Sequence, residues 1–385
     1  MKRLSVPLVV LCIILFCLPA LGLAADQDFS TAPPATPPAK KLRLGYLQGG
    51  IYKDYLPVFR SLVNGLVGLG WLENPIIPDT DAALGSKGLW DWLAANGNSK
   101  YIEFASDAFY DADWSAEKRP QVQTALIDRL KTKKDIAVMI CMGTWAGQDV
   151  VTDAITTPTL VFSTSDPIGS KIIKSLHDSG YDHLWARSDP TRYERQVRLF
   201  QDIIGFNRLG IVYEDSPVGR SFASVDKIEQ VAKERGFKIV TCFAPFSQVD
   251  ENEATRRVID CHKKLAPKVD ALYITNHRGI KTDKMHELMA PLFEYNIPTF
   301  SQAGSNEVRY GALLSISQAN FLYVGKFYAE TVARVLNGAK PRDLSQVFES
   351  PPKIAINLGT AELIGYDPPV DILGAADEIY EDIAQ

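Results

Sequence analysis

The stretch "LVFSTSDPIGSKII" (residues 160–173) decides how this sequence folds. Leu160, Val161 and Phe162 form an apolar run of the kind that enters a core as a strand. The run then breaks into Ser163, Thr164, Ser165 and Asp166, and Pro-Ile-Gly-Ser opens a predicted helix from Ile168. A strand that is apolar on both faces and turns through a short polar segment into a helix is the carboxyl end of a strand in a parallel sheet. Ligands gather at that rim, where helix N-termini offer free N–H groups to anions. Asp166, directly before Pro167, reads as the cap of the helix rather than as a ligand contact. The hydroxyls of Ser163, Thr164 and Ser165 suit a ligand carboxylate, against the competing reading of a Ser/Thr turn without ligand.

The same alternation runs through the chain from Leu42 onward. A first group of predicted strands covers 42–48, 101–105, 136–141 and 159–163. A second covers 208–213, 237–242, 271–275, 298–301, 312–316 and 353–357. Amphipathic segments such as "PQVQTALIDRLKTK" and "YERQVRLFQDII" separate them. Repeated strand-then-helix order places the chain in the α/β class. Ten strands divided near residues 183–190 fit two doubly wound parallel sheets, and so two lobes, better than one wide sheet. Residues 73–100 break the alternation and read as a surface insertion with one short helix around Trp90 and Trp92. "NGLVGLG" (64–70) lies in a helical pattern with the wrong spacing for a dinucleotide fingerprint.

The first 40 residues stand outside this pattern. Lys2 and Arg3 precede an apolar run from Val6 to about Ala20 and the small residues Gly22 to Ala25. That is a secretory signal peptide over 1–25, too short to span a bilayer, and it implies export to the periplasm. The Pro- and Ala-rich residues 26–40 read as a disordered leader. The remaining 345 of 385 residues suffice for two domains. Formal charge is −5, with acids and bases interspersed, so no basic patch suggests a nucleic-acid partner. Of five cysteines, Cys12 and Cys17 belong to the signal, Cys141 reads as a buried thiol, and Cys242 and Cys261 are free to pair or not.

Other predicted strand ends are polar or aromatic as well. Gln48 ends the first strand, and Thr144 and Trp145 follow the strand through Cys141. In the second group the ends carry Tyr213, Glu214, Asn276 and Gln302. Trp145 either stacks on a planar ligand or packs in the core, and His277 reads as a surface-loop histidine. No G-x-S-x-G, H-E-x-x-H or Cys/His metal spacing occurs, and the five histidines do not cluster. An exported enzyme is therefore disfavoured, and no metal or cofactor is expected.

Several longer stretches then resemble a known family. They include "DIAVMICMGTWAGQDVVTDAITTPTLVFSTSDPIGSKII" (135–173), "VDALYITNHRGI" (269–280), "IPTFSQAGSNEVRYGALLSI" (297–316) and "KIAINLGTAELIGY" (353–366). The chain from Lys41 to Pro369 is similar to the substrate-binding proteins of ABC transporters with the type I periplasmic-binding fold, in particular the subfamily with tryptophan- and tyrosine-binding members. The resemblance implies two lobes joined by three hinge crossings. Residues 41–187 with 316–345 would form the first lobe, and 188–315 with 346–385 the second. A small organic ligand would bind between them, the lobes would close by hinge motion, and the closed form would dock on an inner-membrane ABC permease. A periplasmic sensor feeding a membrane receptor or kinase would use the same parts. The implied ligand contacts are Gln48, Thr144, Trp145, Ser163, Thr164, Ser165, Tyr213, Asn276, Gln302 and Asn320. Where relatives often carry aspartates this chain has Gln302, Ala303 and Asn320, which leaves Glu214 as the candidate partner of a ligand ammonium and admits a neutral or anionic ligand instead.

Overall fold

The computed structural model describes residues 29–73, 77, 84–316, 321–349 and 353–385. The predicted signal peptide and Asn320 lie outside the described residues. A first sheet holds β1 (Leu42–Gln48), β2 (Ile102–Asp111), β3 (Val138–Met142), β4 (Thr159–Phe162) and β5 (Leu184–Ala186). Its strands are parallel and ordered β2-β1-β3-β4-β5. The second sheet begins with β6 (Arg208–Tyr213), β7 (Lys238–Phe243), β8 (Ala271–Ile274), β9 (Thr299–Ser301) and β10 (Leu314–Ser315). β11 (Ala355–Asn357) and β12 (Glu378–Tyr380) extend it to the order β12-β11-β10-β9-β8-β6-β7, with only the β10–β11 pair antiparallel. The first five strands of each sheet thus wind in the same order, so each lobe brings the carboxyl ends of its central strands to one rim.

Helices cover both faces. In the first half these are α1 (Tyr55–Gly68), α2 (Gly85–Asn96), α3 (Lys118–Thr132) and α4 (Gly143–Asp149). Next come α5 (Arg192–Ile204), α6 (Pro217–Phe222), α7 (Val225–Arg235), α8 (Glu251–Leu265), α9 (Met285–Phe293) and α10 (Ser305–Arg309). α11 (Leu322–Leu336) returns to the first sheet and packs on α1, while α12 (Leu358–Leu363) and α13 (Val370–Ala375) stay with the second. A Cβ on Gly65 would stand 2.5 Å from that of Ala329, and one on Gly325 would stand 2.4 Å from that of Ser61. Gly65 of "NGLVGLG" and Gly325 of "YVGKF" let these two helices approach closely. The chain changes lobe after β5, between β10 and α11, and again before β11. The first and last crossings run side by side, Ser188 donating to Gln346 O at 2.6 Å and accepting from Phe348 N at 3.0 Å.

Several expectations are corrected. β5 lies inside the stretch read as the divide between groups, and β12 was not foreseen: each is three residues long, and no longer apolar run of the kind that marked the equally short β9 and β11 surrounds it. No helix follows β4: residues 167–173 form successive turns, with Lys171 left-handed at φ 58°. Asp166 caps the first of these turns instead, its Oδ1 accepting from Gly169 N at 2.8 Å. Of the stretch read as a surface insertion, the described part from residue 84 to 100 packs into the first lobe. Trp90 of α2 is fully buried against Tyr46, Phe59 and Phe104, and its Nε1 donates to Ala105 O at 3.1 Å. Within the stretch read as a leader, Thr31 O accepts from Trp71 Nε1 at 2.8 Å, and Asn337 Nδ2 donates to Ser30 O and Ala32 O.

Cys242 on the edge strand β7 and Cys261 on α8 form a disulfide spanning 19 positions of sequence. Cys141 is buried and free, its thiol pushed up by burial. Replacing Cys242 and Cys261 with Ala is expected to lower the unfolding free energy by about 3 kcal/mol, read from urea denaturation. An unchanged midpoint would show that the crosslink constrains nothing.

Two buried histidines predict an acid sensitivity. Burial pushes His262 and His277 down to about 4 from the usual 6.5. Both are neutral in the fold, so their contribution is full above pH 6.5 and lost as pH falls toward 4, on the order of 3 kcal/mol each. Asp149, pushed up to about 6 by burial, works against them, since its protonated form is the favoured one in the fold. Asp54 and Asp111, also raised chiefly by burial, act in the same direction as Asp149. Removing one histidine removes its share of the acid loss, so the melting temperature of His262→Gln should fall less than that of the wild type between pH 6.5 and 4.5; parallel curves would refute the assignment.

Candidate functional site

The facing rims enclose a cavity of about 70 Å³. At roughly 10–15 Å³ per water position it has room for a handful of waters, the scale of a small metabolite. Ser163, Thr164 and Ser165 reach it from the turn after β4, and Asn276 from the turn after β8. Ser163 is left-handed at φ 56°, and its N–H donates to the Tyr328 hydroxyl at 3.4 Å. The Thr164 hydroxyl pairs with that of Thr144 at 3.3 Å. Ser165 Oγ accepts from Asn276 Nδ2 at 3.3 Å across the cleft. Gln302 Oε1 in turn accepts from the Asn276 backbone N–H at 2.7 Å. This leaves Asn276 Oδ1 buried without a hydrogen-bond partner among the described residues. That acceptor belongs to a residue lining the cavity.

Charged groups line the same space. Asp189 links Arg187 at 3.0 Å and Arg195 at 3.4 Å just after β5. Arg192 and Asp54 differ: among the described residues neither has an ion-pair partner within 4.0 Å. The Arg192 guanidinium donates a long contact, 3.5 Å, to Gln302 O. Burial alone would lower its pKa, but Tyr193, Asp189, Tyr273 and Asp54 hold it above the ordinary value, so the guanidinium stays charged. The Asp54 carboxyl is raised, chiefly by burial, against the pull of Lys53 and Arg192. A guanidinium and a carboxylate without close partners thus share one cavity.

Contacts between the lobes surround it. Lys53 pairs with Glu307, whose other oxygen accepts from Ser301 Oγ at 2.7 Å. The Tyr52 and Phe222 rings meet edge-on with centroids 5.3 Å apart. Ser170 and Ser221 share a hydroxyl hydrogen bond, and the Arg278 guanidinium lies 5.9 Å from the Trp114 ring centre. The lobes are closed on one another.

The other predicted residues are placed differently. Gln48 stays in the sheet, donating to Asp111 Oδ2 at 2.7 Å and accepting from Tyr46. Tyr213 packs edge-on against Phe243 and accepts from Arg220 at 3.4 Å. Gln302 stands behind Asn276. Thr144 and Trp145 line a smaller space of about 10 Å³ with Trp114, Phe222 and Phe246. Trp145 carries the Arg119 guanidinium 4.5 Å above its ring. Glu214 is spent within its own lobe, accepting from the backbone of Phe246 at 2.7 Å and Ser247 at 2.8 Å and from two serine hydroxyls. Burial would raise its carboxyl, but these donors hold it below the ordinary value. His277 is not on the surface: it is buried, with Nε2 on Ala244 O at 3.0 Å and Nδ1 accepting from Gly279 N. Sequence reasoning missed Tyr52, Asp54 and the arginines at 187, 192 and 195. The signal for the arginines was the dense "ARSDPTRYER" run (186–195), hidden by the unrecognised β5 before it. No group of three or more His, Cys, Asp or Glu among the described residues is arranged to hold a metal ion.

A family model described as ABC transporter substrate binding protein matches residues 86–380. No curated protein matches the sequence. Among solved structures, the chain is similar to a conserved domain protein from Vibrio cholerae, at 20% identity and TM-score 0.66, covering 88% of this chain and 100% of that one. An ABC domain from Streptococcus pneumonia in complex with L-Trp is similar at 19% identity and TM-score 0.66, with coverage of 88% and 100%. A ligand-free, open substrate binding protein with adhesive properties from Clostridium difficile shows 20% identity and TM-score 0.54, with coverage of 88% and 99%. Neighbours of this kind share the type I periplasmic binding fold of two α/β lobes.

The Lys53–Glu307 pair gives a test of closure. Lys53→Met leaves a carboxylate shut between the lobes without its cation, which favours the form in which water reaches it. The ligand-free variant is expected to show a larger radius of gyration than the wild type in solution scattering. Identical curves would mean that this pair does not hold the lobes together.

Proposed function

This chain belongs to the ABC transporter substrate-binding protein family, and on that premise we propose that it captures a small zwitterion of amino-acid type between its lobes for a membrane permease. Family members bind solutes rather than transform them, and they work outside the cytoplasm. Delivery to the periplasm by residues 1–25 and docking on an inner-membrane importer complete the reading. The observation that carries it is the pairing of Arg192 with Asp54 in one closed cavity, each without an ion-pair partner within 4.0 Å among the described residues. A charge shut away from water is costly unless compensated. A ligand carboxylate on Arg192 and the hydroxyls of Ser163 and Thr164, with its ammonium on Asp54 and Asn276 Oδ1, compensates all of them together. The missing family aspartates are thereby replaced by Asp54, on a different strand end. The L-Trp bound by the neighbour from Streptococcus pneumonia is a molecule of this class.

Closure around such a ligand shifts a hinge equilibrium, and its energy comes from contacts that exist only in the closed form. The test is calorimetric titration of the full exported chain with a panel of α-amino acids, their methyl esters and the matching amines. A ligand at 100 times its dissociation constant should stabilise the protein by about 2.7 kcal/mol. Arg192→Met and Asp54→Asn should each weaken binding by about 1–3 kcal/mol, and Arg192→Met should leave the ester's weaker binding unchanged. Equal affinity of wild type and Arg192→Met for the free acid would sink the zwitterion reading.

A further inference from the structure

The cavity of about 70 Å³ and the smaller space of about 10 Å³ are neighbours, and Phe222 lines both. Its ring lies edge-on to Tyr52 at 5.3 Å on one side and tilted against Phe246 at 5.6 Å on the other. Beyond it the smaller space is walled mainly by Trp114, Trp145, Val218 and Phe246, with Thr144 and Arg278 at its edge, a more aromatic lining than that of the main chamber. Trp145 is 5% exposed, and its indole N–H is buried without a hydrogen-bond partner among the described residues. A buried donor left without a partner is uncommon and marks a position where a ligand acceptor could be received. The indole anticipated as a ligand contact is therefore present at the cleft but screened from the chamber by one side chain.

The screen is firmly mounted. Phe222 ends α6, whose first turn is capped by Ser216 Oγ accepting from Gly219 N at 2.9 Å, with Pro217 opening the helix. A Cβ on Gly219 would lie 2.1 Å from Glu214 O, so glycine lets the helix seat directly on the strand end. Glu214 ties Ser216 to Ser247, and Ser221, next to Phe222, bonds across the cleft to Ser170. Closing the lobes therefore sets Phe222 in one place, between the two spaces.

We propose that Phe222 determines ligand size, dividing one interlobe space into a small polar chamber and an aromatic annex and thereby excluding bulky aromatic side chains. The divider rests on the amino-acid reading only for the choice of two of its three probes. With Phe222 cut back to Ala, the chamber and annex merge and gain on the order of 100 Å³, the scale at which engineered apolar cavities take up aromatic molecules.

The experiment titrates L-alanine, L-tryptophan and indole into the full exported chain and its Phe222→Ala variant by calorimetry. The wild type is expected to bind L-alanine at least about tenfold more tightly than L-tryptophan, and the variant to bind indole at least about tenfold more tightly than the wild type. Wild-type affinity for L-tryptophan equal to that for L-alanine would overturn the proposal, as would a folded Phe222→Ala that gains no affinity for indole. Should Phe222→Ala not fold, Phe222→Leu carries the same test with a smaller gain. A gain for indole in the variant, with no amino acid bound by the wild type, would support the divider while refuting the zwitterion reading.

Discussion

A polar group closed between the two lobes must find a partner or cost about 1–3 kcal/mol, and a charge costs more. That constraint organises the cleft. Ser165 with Asn276, Ser170 with Ser221 and Lys53 with Glu307 satisfy one another across it, each pair drawing one member from each lobe. These contacts exist only while the lobes are shut. What they leave over (the Arg192 guanidinium, the Asp54 carboxylate, Asn276 Oδ1) is the polar outline of what the cavity should hold. The complementarity between the rims and the remainder inside them are two sides of one requirement.

Topology makes the requirement arise. Both sheets wind their first five strands in the same order, so both present carboxyl ends, short turns and helix starts toward the other lobe. Polar side chains at such ends are exposed in an open form and buried in a closed one. Not all of them meet the ligand space. Glu214 stands at the end of β6, where a ligand partner was sought, yet its oxygens organise the turns that carry α6 and Ser247. Its effect on the cleft passes through the placement of Phe222. Asp189 is similarly occupied by Arg187 and Arg195, where the chain first crosses between lobes.

The helix contacts beneath the rims hold these loops in register. α11 comes from late in the chain but packs on α1 through glycine-mediated close approach, tying the loop after β1 to the last third of the sequence. Tyr52, Lys53 and Asp54 all lie on that loop. On the other lobe the Cys242–Cys261 disulfide anchors the edge strand β7 to α8. Each lobe thus meets the cleft as a braced unit, the condition under which hinge motion moves rims as bodies rather than deforming them.

Local pattern was enough to read ten of the twelve strands among the described residues, the α/β class, two sheets and the turn from Ser163 to Asp166, because apolar runs and polar strand ends are written in consecutive residues. The two missed strands, β5 and β12, lack the apolar flanks that marked the equally short β9 and β11. Trp90 was misread as surface because its burial depends on Tyr46, Phe59 and Phe104, which adjacent sequence does not show. The site divides in the same way. Ser163, Thr164, Ser165 and Asn276 were legible as strand ends, whereas Asp54, Arg192 and Phe222 became part of the cavity only when the lobes met. Sequence by itself determined which residues stand at the rims; tertiary structure alone decided which rim groups satisfy one another and which are left for a ligand, because a partner across a cleft is set by the approach of two lobes and not by position along the chain.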